Sequence, residues 1–106
     1  MPFIDLNDIA PRELLPGTSV RFVHTQTMTL AYWTFEAGAL LPAHCHPHEQ
    51  VANILEGEFE MTLGDQTQVL RPGIVVVMPS NVMHSGKAIT RCRFIDAFHP
   101  VREDYR

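Results

Sequence analysis

The chain reads as an all-β domain, a sandwich or barrel, on three observations. Short apolar or alternating runs fill most of it, turn-forming residues stand between them, and no stretch sustains a helical period. A length of 106 residues suits a single domain spanning 1–106, long enough to bury a core and too short for a second folding unit. Hydrophobic residues at 45% against 19% charged place it among globular rather than disordered chains.

In chain order, residues 6–15 are the one weak helical candidate. Pro11 and Pro16-Gly17 interrupt the segment, so a short turn or single helical turn packing across the sheet is expected. Strands are expected at residues 19–25 and 28–35, the latter ending before Gly38. The next runs are 50–55, closed by Gly57, and 59–63, closed by Gly64-Asp65. Runs 67–70 and 74–78 end at Pro72-Gly73 and Pro79-Ser80-Asn81, and 90–98 is the last. Each breaker sits where a positive φ or a missing N–H is tolerated.

Composition removes several function classes. The net charge is -4 and the eight basic residues are scattered, so nothing tracks a phosphate backbone and no nucleic-acid partner is expected. Met1-Pro2-Phe3-Ile4-Asp5 has no basic or long apolar leader, and no run reaches the roughly 18 apolar residues of a membrane span. The cytoplasm is the expected compartment, without a membrane partner. Cys45 and Cys92 are read there as reduced thiols or small core residues in preference to a bridge.

The chemistry concentrates in four residues, His44, His46, Gln50 and His84, which read as inward ligands for one divalent metal ion. If residues 42–48 are extended, Pro42, His44, His46 and His48 share one face, with Ala43, Cys45 and Pro47 on the other. Histidines at i and i+2 then lie roughly 6.6 Å apart along the strand, close enough for both rings to converge on one ion. Gln50 opens the next run and can coordinate through its amide oxygen. His84 follows the Pro79-Ser80-Asn81 turn and could close the site. His48, on the same face, or the adjacent Glu49 could displace Gln50 as a ligand.

The spacing carries a resemblance. Gly38, five residues, His44-Cys45-His46, three residues, Gln50, six residues and Gly57 is similar to the first cupin motif. Gly73, five residues, Pro79, then Asn81 and His84 resembles the second. The resemblance implies a double-stranded β-helix, a jelly-roll barrel with the metal inside, and pairing into a homodimer through its edges. Gln50 stands where the pattern usually has Glu, and Asn81 where it usually has Gly. The first departure keeps an oxygen donor but leaves the ion's charge uncompensated, which favours an anionic substrate.

The run 90–98 places Cys92, Phe94, Asp96 and Phe98 on one face, and an acid in that apolar row is anomalous. Facing the interior, Asp96 would be suited to general acid/base work; otherwise it is a structural carboxylate accepting backbone N–H bonds. Pro100 can turn the tail over the barrel mouth, where Arg102 could offer two parallel N–H bonds to a substrate carboxylate. Phe98 is expected to contact the substrate, with Trp33, Phe94 and several of Met28, Met61, Met78 and Met83 as further candidates for the lining.

These residues narrow the resemblance to the pectin-degradation cupins that open 4,5-unsaturated monouronates, the products of pectin and alginate lyases. That group is similar in setting two histidines, a glutamine and a third histidine on the metal, followed by an Asp-x-Phe-x-x-x-Arg segment. Here the matching residues are His44, His46, Gln50, His84, Asp96, Phe98 and Arg102. The resemblance implies an enzyme for a small anionic sugar acid, with Asp96 and Arg102 catalytic and one divalent ion, Ni, Zn, Fe, Co or Mn. An iron cupin dioxygenase and a non-catalytic sugar-binding cupin are the competing readings.

Overall fold

Strict alternation along two central strands sets the layering: β2 (Thr29–Phe35) buries Thr29, Ala31, Trp33 and Phe35, while β9 (Cys92–His99) buries Cys92, Phe94, Asp96 and Phe98. The computed structural model describes residues 2–106. The remaining strands are β1 (Thr18–His24), β3 (Leu40–His44), β4 (Glu49–Glu56), β5 (Phe59–Leu63), β6 (Gln66–Leu70), β7 (Val75–Met78) and β8 (His84–Ala88). They form two antiparallel sheets, ordered β1-β2-β9-β4-β7 and β3-β8-β5-β6. This is the expected jelly-roll barrel, and no described helix is long and apolar enough to cross a membrane.

The core fills the end of the barrel away from the histidines. Phe35 packs against Trp33, Phe59 and Phe94 with ring centroids 5.1–5.5 Å apart, in edge-on or tilted contacts. Phe35 and Phe59 are fully buried, each contributing roughly 1.5–3 kcal/mol. At the other end the inward row runs Thr29, Phe98, Gln50, Met78 across β2, β9, β4 and β7, followed by Ala31, Asp96, Ala52. The alanines on either side of Asp96 leave space for its carboxyl.

The expected strand runs are all present, with ends moved by a residue or two; the run read as 90–98 begins at Cys92. Two strands lay outside those runs: β3, of which only residues from 42 on were considered as extended, and β8, His84-Ser85-Gly86-Lys87-Ala88, whose residues have little strand preference. Gly86 is required there because a Cβ would collide with the Phe59 ring and the Glu60 carbonyl. The turn residues behave as expected: Gly38, Gly57, Gly64 and Gly73 have positive φ. Asn81 also lies in the left-handed region at φ 63°, which explains how asparagine replaces the usual glycine. The N-terminal candidate is a single 3-10 turn, Leu6–Asp8, followed by an Arg12 bridge to Val20.

Candidate metal centre

His44 ends β3 opposite His84, which begins β8, so the pairing of these two strands places their rings 4.2 Å apart. His46 follows in the link to β4, and the Asn81 N–H holds its carbonyl at 2.8 Å. The ligand atoms of His44, His46 and His84 all lie within 4.8 Å of one another. From His44 to Gln50 the even positions turn inward and the odd ones outward, although the regular strand stops at His44. Pro42, expected on the same face, is exposed instead, because a bulge between Leu41 and His44 shifts the phase.

Each ring is oriented by its own backbone. Nδ1 of His44 donates to the Pro42 carbonyl at 2.8 Å, that of His46 to His48 at 3.0 Å and that of His84 to Val82 at 3.1 Å. A carbonyl only accepts, so the proton is on Nδ1 and every Nε2 keeps its lone pair. Burial holds His46 below its ordinary pKa, helped by the Arg102 charge, and burial does the same to His84. Neutral imidazole, the form that ligates, is favoured at both.

The donors fit a divalent cation on two further observations. The buried His84 Nε2 has no hydrogen-bond partner. His46 Nε2 and Gln50 Oε1 stand 3.0 Å apart, and with the His46 proton on Nδ1 both are acceptors. Two facing lone pairs repel unless a cation sits beside them. His44, His46 and His84 could therefore hold one ion, with Gln50 Oε1 beside them. Glu49 is exposed, and the half-buried His48 turns Nε2 toward the Val101 carbonyl at 3.3 Å, so neither belongs to the cluster.

Asp96 lies on the same inward face, 4% exposed, and its Oδ1 has no hydrogen-bond partner. Burial pushes its pKa up to about 7, while hydrogen bonding from Gln50, the Arg102 charge and Trp33 pull the other way. Gln50 thus has two duties, its oxygen toward the histidines and its amide toward Asp96.

The tail returns over the barrel mouth. The Arg102 N–H donates to Thr29 Oγ1 at 2.9 Å, and the Tyr105 ring stacks on Phe22 at 4.5 Å. Arg102, 7% exposed, lines the cavity with His44, Gln50, His84, Asp96 and Phe98. Its fork is already engaged, Nε donating to Asp104 Oδ1 at 3.0 Å and Nη2 to Oδ2 at 2.8 Å. Trp33, Phe35, Leu41, Phe94 and Tyr105 complete the lining. Met61 and Met78 are core and Met28 and Met83 are exposed, so none of the four methionines reaches it. Tyr105 and Asp104 carried no signal in the sequence beyond their closeness to Arg102.

The cavity volume is about 20 Å³, room for an ion or a water-sized group. A sugar ring does not fit within it, so binding one requires the lining to open. A larger groove of about 370 Å³ lies between Leu6-Asn7 and the outer sheet face at Arg21, Tyr32 and Arg93. No ligating cluster converges there among the described residues. Cys45 is exposed and Cys92 buried, both free thiols.

Residues 31–98 match the family model described as a cupin domain. The chain is 30% identical over 73 residues to the pectin degradation protein KdgF of Dickeya dadantii, covering 67% of this chain and 66% of that protein. It is 25% identical over 97 residues to an uncharacterised protein of Streptomyces coelicolor, covering 92% and 81% of the two chains. The solved structure of KdgF from Halomonas superposes with a TM-score of 0.92 at 28% identity, covering 98% of this chain and 99% of that one. An RmlC-like cupin from Shewanella frigidimarina gives 0.94 at 26% identity, covering 100% and 96%. With its two-sheet barrel, inward histidines and matching domain, the chain belongs to the cupin family.

Proposed function

We propose that this cupin opens the ring of 4,5-unsaturated monouronates to linear 5-keto-4-deoxyuronates. The observation that carries the reading is the buried Asp96 carboxyl in one cavity with Arg102 and with His44 and His84 of the three-histidine cluster. The chain's likeness to the pectin degradation protein KdgF of Dickeya dadantii, and to the KdgF of Halomonas, supports the substrate class. His44, His46 and His84, with Gln50 Oε1 beside them, would hold a divalent ion, which when bound would supply Lewis acidity toward a substrate oxygen.

The chain's own groups supply the rest. Arg102 binds the substrate carboxylate and fixes the ring's orientation, and Phe98 packs against the ring. Asp96, as carboxylate, takes the proton from the anomeric hydroxyl while the bond from C1 to the ring oxygen breaks, leaving an aldehyde at C1 and an enolate at C5, whose oxygen keeps the bonding pair. Return of that same proton from Asp96 to C4 then completes the 5-ketone, so the reaction is a net isomerisation with no co-reactant. A group with a pKa near 7 can both accept and return that proton. The ion's uncompensated charge and Arg102 both favour an anionic ligand.

We also propose a homodimer in the cytoplasm, supported by the exposed Val75 and Val77 on edge strand β7. Light scattering that returns a monomer rejects the dimer. The activity is tested by following the vinyl proton of unsaturated galacturonate by NMR with fully metallated protein. Faster loss of that signal with appearance of the linear keto acid is expected. An unchanged spontaneous rate rejects the proposal, and substrate-dependent oxygen uptake would move the assignment to a dioxygenase.

A further inference from the structure

Asp104 lies outside the set of groups that the ring-opening chemistry needs, yet it makes a two-point contact at the mouth. Both its oxygens accept from the same edge of the Arg102 guanidinium, at 3.0 Å from Nε and 2.8 Å from Nη2. The Arg102 side chain is 8% exposed and that of Asp104 57%, so a buried cation is held from outside by a carboxylate facing solvent. The guanidinium carbon also sits over two rings, 4.8 Å from the Phe98 centroid and 4.1 Å from that of Tyr105.

A guanidinium has five donors along two usable edges. With Nε and one Nη2 hydrogen committed to Asp104, the edge formed by Nη1 and the second Nη2 hydrogen is left for another carboxylate. Without Asp104, the Arg102 fork would be free to swing toward Asp96, whose carboxyl already feels its charge in the same cavity. Such a pairing would compete with the substrate carboxylate for Arg102 in the empty site and be relieved once that carboxylate is bound. Both residues also lie on one short segment, so the clamp stays with the arginine when the lining opens to a sugar ring.

We infer that Asp104 is a positioning residue, fixing one edge of Arg102 so that the opposite edge receives the carboxylate of the sugar acid. The inference rests on the ring-opening reading above and deepens it by naming what orients the carboxylate clamp. Arg102 thereby offers its terminal edge, in place of the whole fork, to the substrate.

The test uses the metal-loaded full chain and saturated galacturonate, which cannot react, as a calorimetric probe. Asp104→Ala should weaken galacturonate binding about tenfold and raise the KM for unsaturated galacturonate by a similar factor. Metal content and kcat should stay within about threefold, as for loss of an interaction made equally in ground and transition states. Asp104→Glu should restore binding, which a merely structural loss in the tail would not predict. The Arg102 Nε–H resonance of the wild type should persist on adding galacturonate. Its loss, or tighter binding by Asp104→Ala, would mean that Asp104 competes with the ligand and would overturn the inference. Unchanged binding and KM in Asp104→Ala, with an active wild type, would overturn it too. A wild type that neither binds galacturonate nor opens the unsaturated sugar rejects the functional reading beneath it, and this inference with it.

Discussion

Replacing Gln50 with glutamate probes the two duties of that side chain at once. The amide oxygen faces His46 Nε2 at 3.0 Å, and the amide nitrogen is the hydrogen-bonding group that most restrains the rise in the Asp96 pKa. Glutamate keeps an oxygen toward the histidines and adds a charge, so the ion should survive a chelator longer. Toward Asp96 it replaces a donor with a second carboxylate. A hydrogen bond to a charged acceptor is worth about 1.5–3 kcal/mol, so its loss corresponds to roughly 10- to 100-fold in the ionised fraction or in rate. Repulsion between the two carboxylates acts in the same direction. Both effects lift Asp96 further above about 7 and leave it protonated at neutral pH, unable to take the first proton. The prediction for Gln50→Glu is a kcat for unsaturated galacturonate at pH 7 lower by about 10- to 100-fold, the deficit shrinking toward pH 9. Stopped-flow loss of enol-ether absorbance with metal content measured on the same sample reads it. A kcat within about twofold of wild type at pH 7 would refute the coupling of Gln50 to Asp96.

Other substitutions test separate parts of the account. Gly86→Ala should lower the unfolding free energy by about 1–3 kcal/mol in urea melts, because the added Cβ meets the Phe59 ring and the Glu60 carbonyl; an unchanged midpoint would show that β8 can yield there. Asp96→Asn should abolish turnover while keeping its metal, and retained full activity would remove Asp96 from the proton-transfer role. The same variant tests linkage in the chelated protein. The folded-state pKa of Asp96, about 7, lies above its ordinary 3.8, so its share of stability is full below about pH 4 and drains away as pH rises toward 7. The drain approaches about 1.4 kcal/mol per pH unit within that window. His46 and His84, with lowered values, contribute the opposite slope. The wild-type minus Asp96→Asn difference in melting isolates Asp96, and a difference that does not change between pH 4 and 7 would contradict its burial.

Much of this architecture could be read from residue order because alternation and burial coincide. The row Cys92, Phe94, Asp96, Phe98 faces inward as its period of two requires, and the acid within it marks the cavity. His44, His46 and Gln50 keep the same phase through the link between β3 and β4, so their convergence was legible although the regular strand had ended. Pro42 fell out of phase because a bulge is set by pairing with β8, a strand distant in sequence. β8 itself was hidden because its glycine and lysine suit a strand only when Phe59 and the neighbouring chains define the space around them. The tail shows the same limit. Arg102 stood out by its distance from Asp96, whereas the clamp by Asp104 and the cover by Tyr105 depend on how the chain turns after β9.

The proposed chemistry requires three Nε2 lone pairs and the Gln50 oxygen to meet at one cation. Metal titration of the stripped protein, joined to X-ray absorption at the metal edge, tests this most directly. One equivalent per chain is predicted, with imidazole nitrogens at about 2.0–2.1 Å, and tight binding lost in His84→Ala. A chain that takes up no stoichiometric ion, or whose ion is unaffected by His84→Ala, would contradict it.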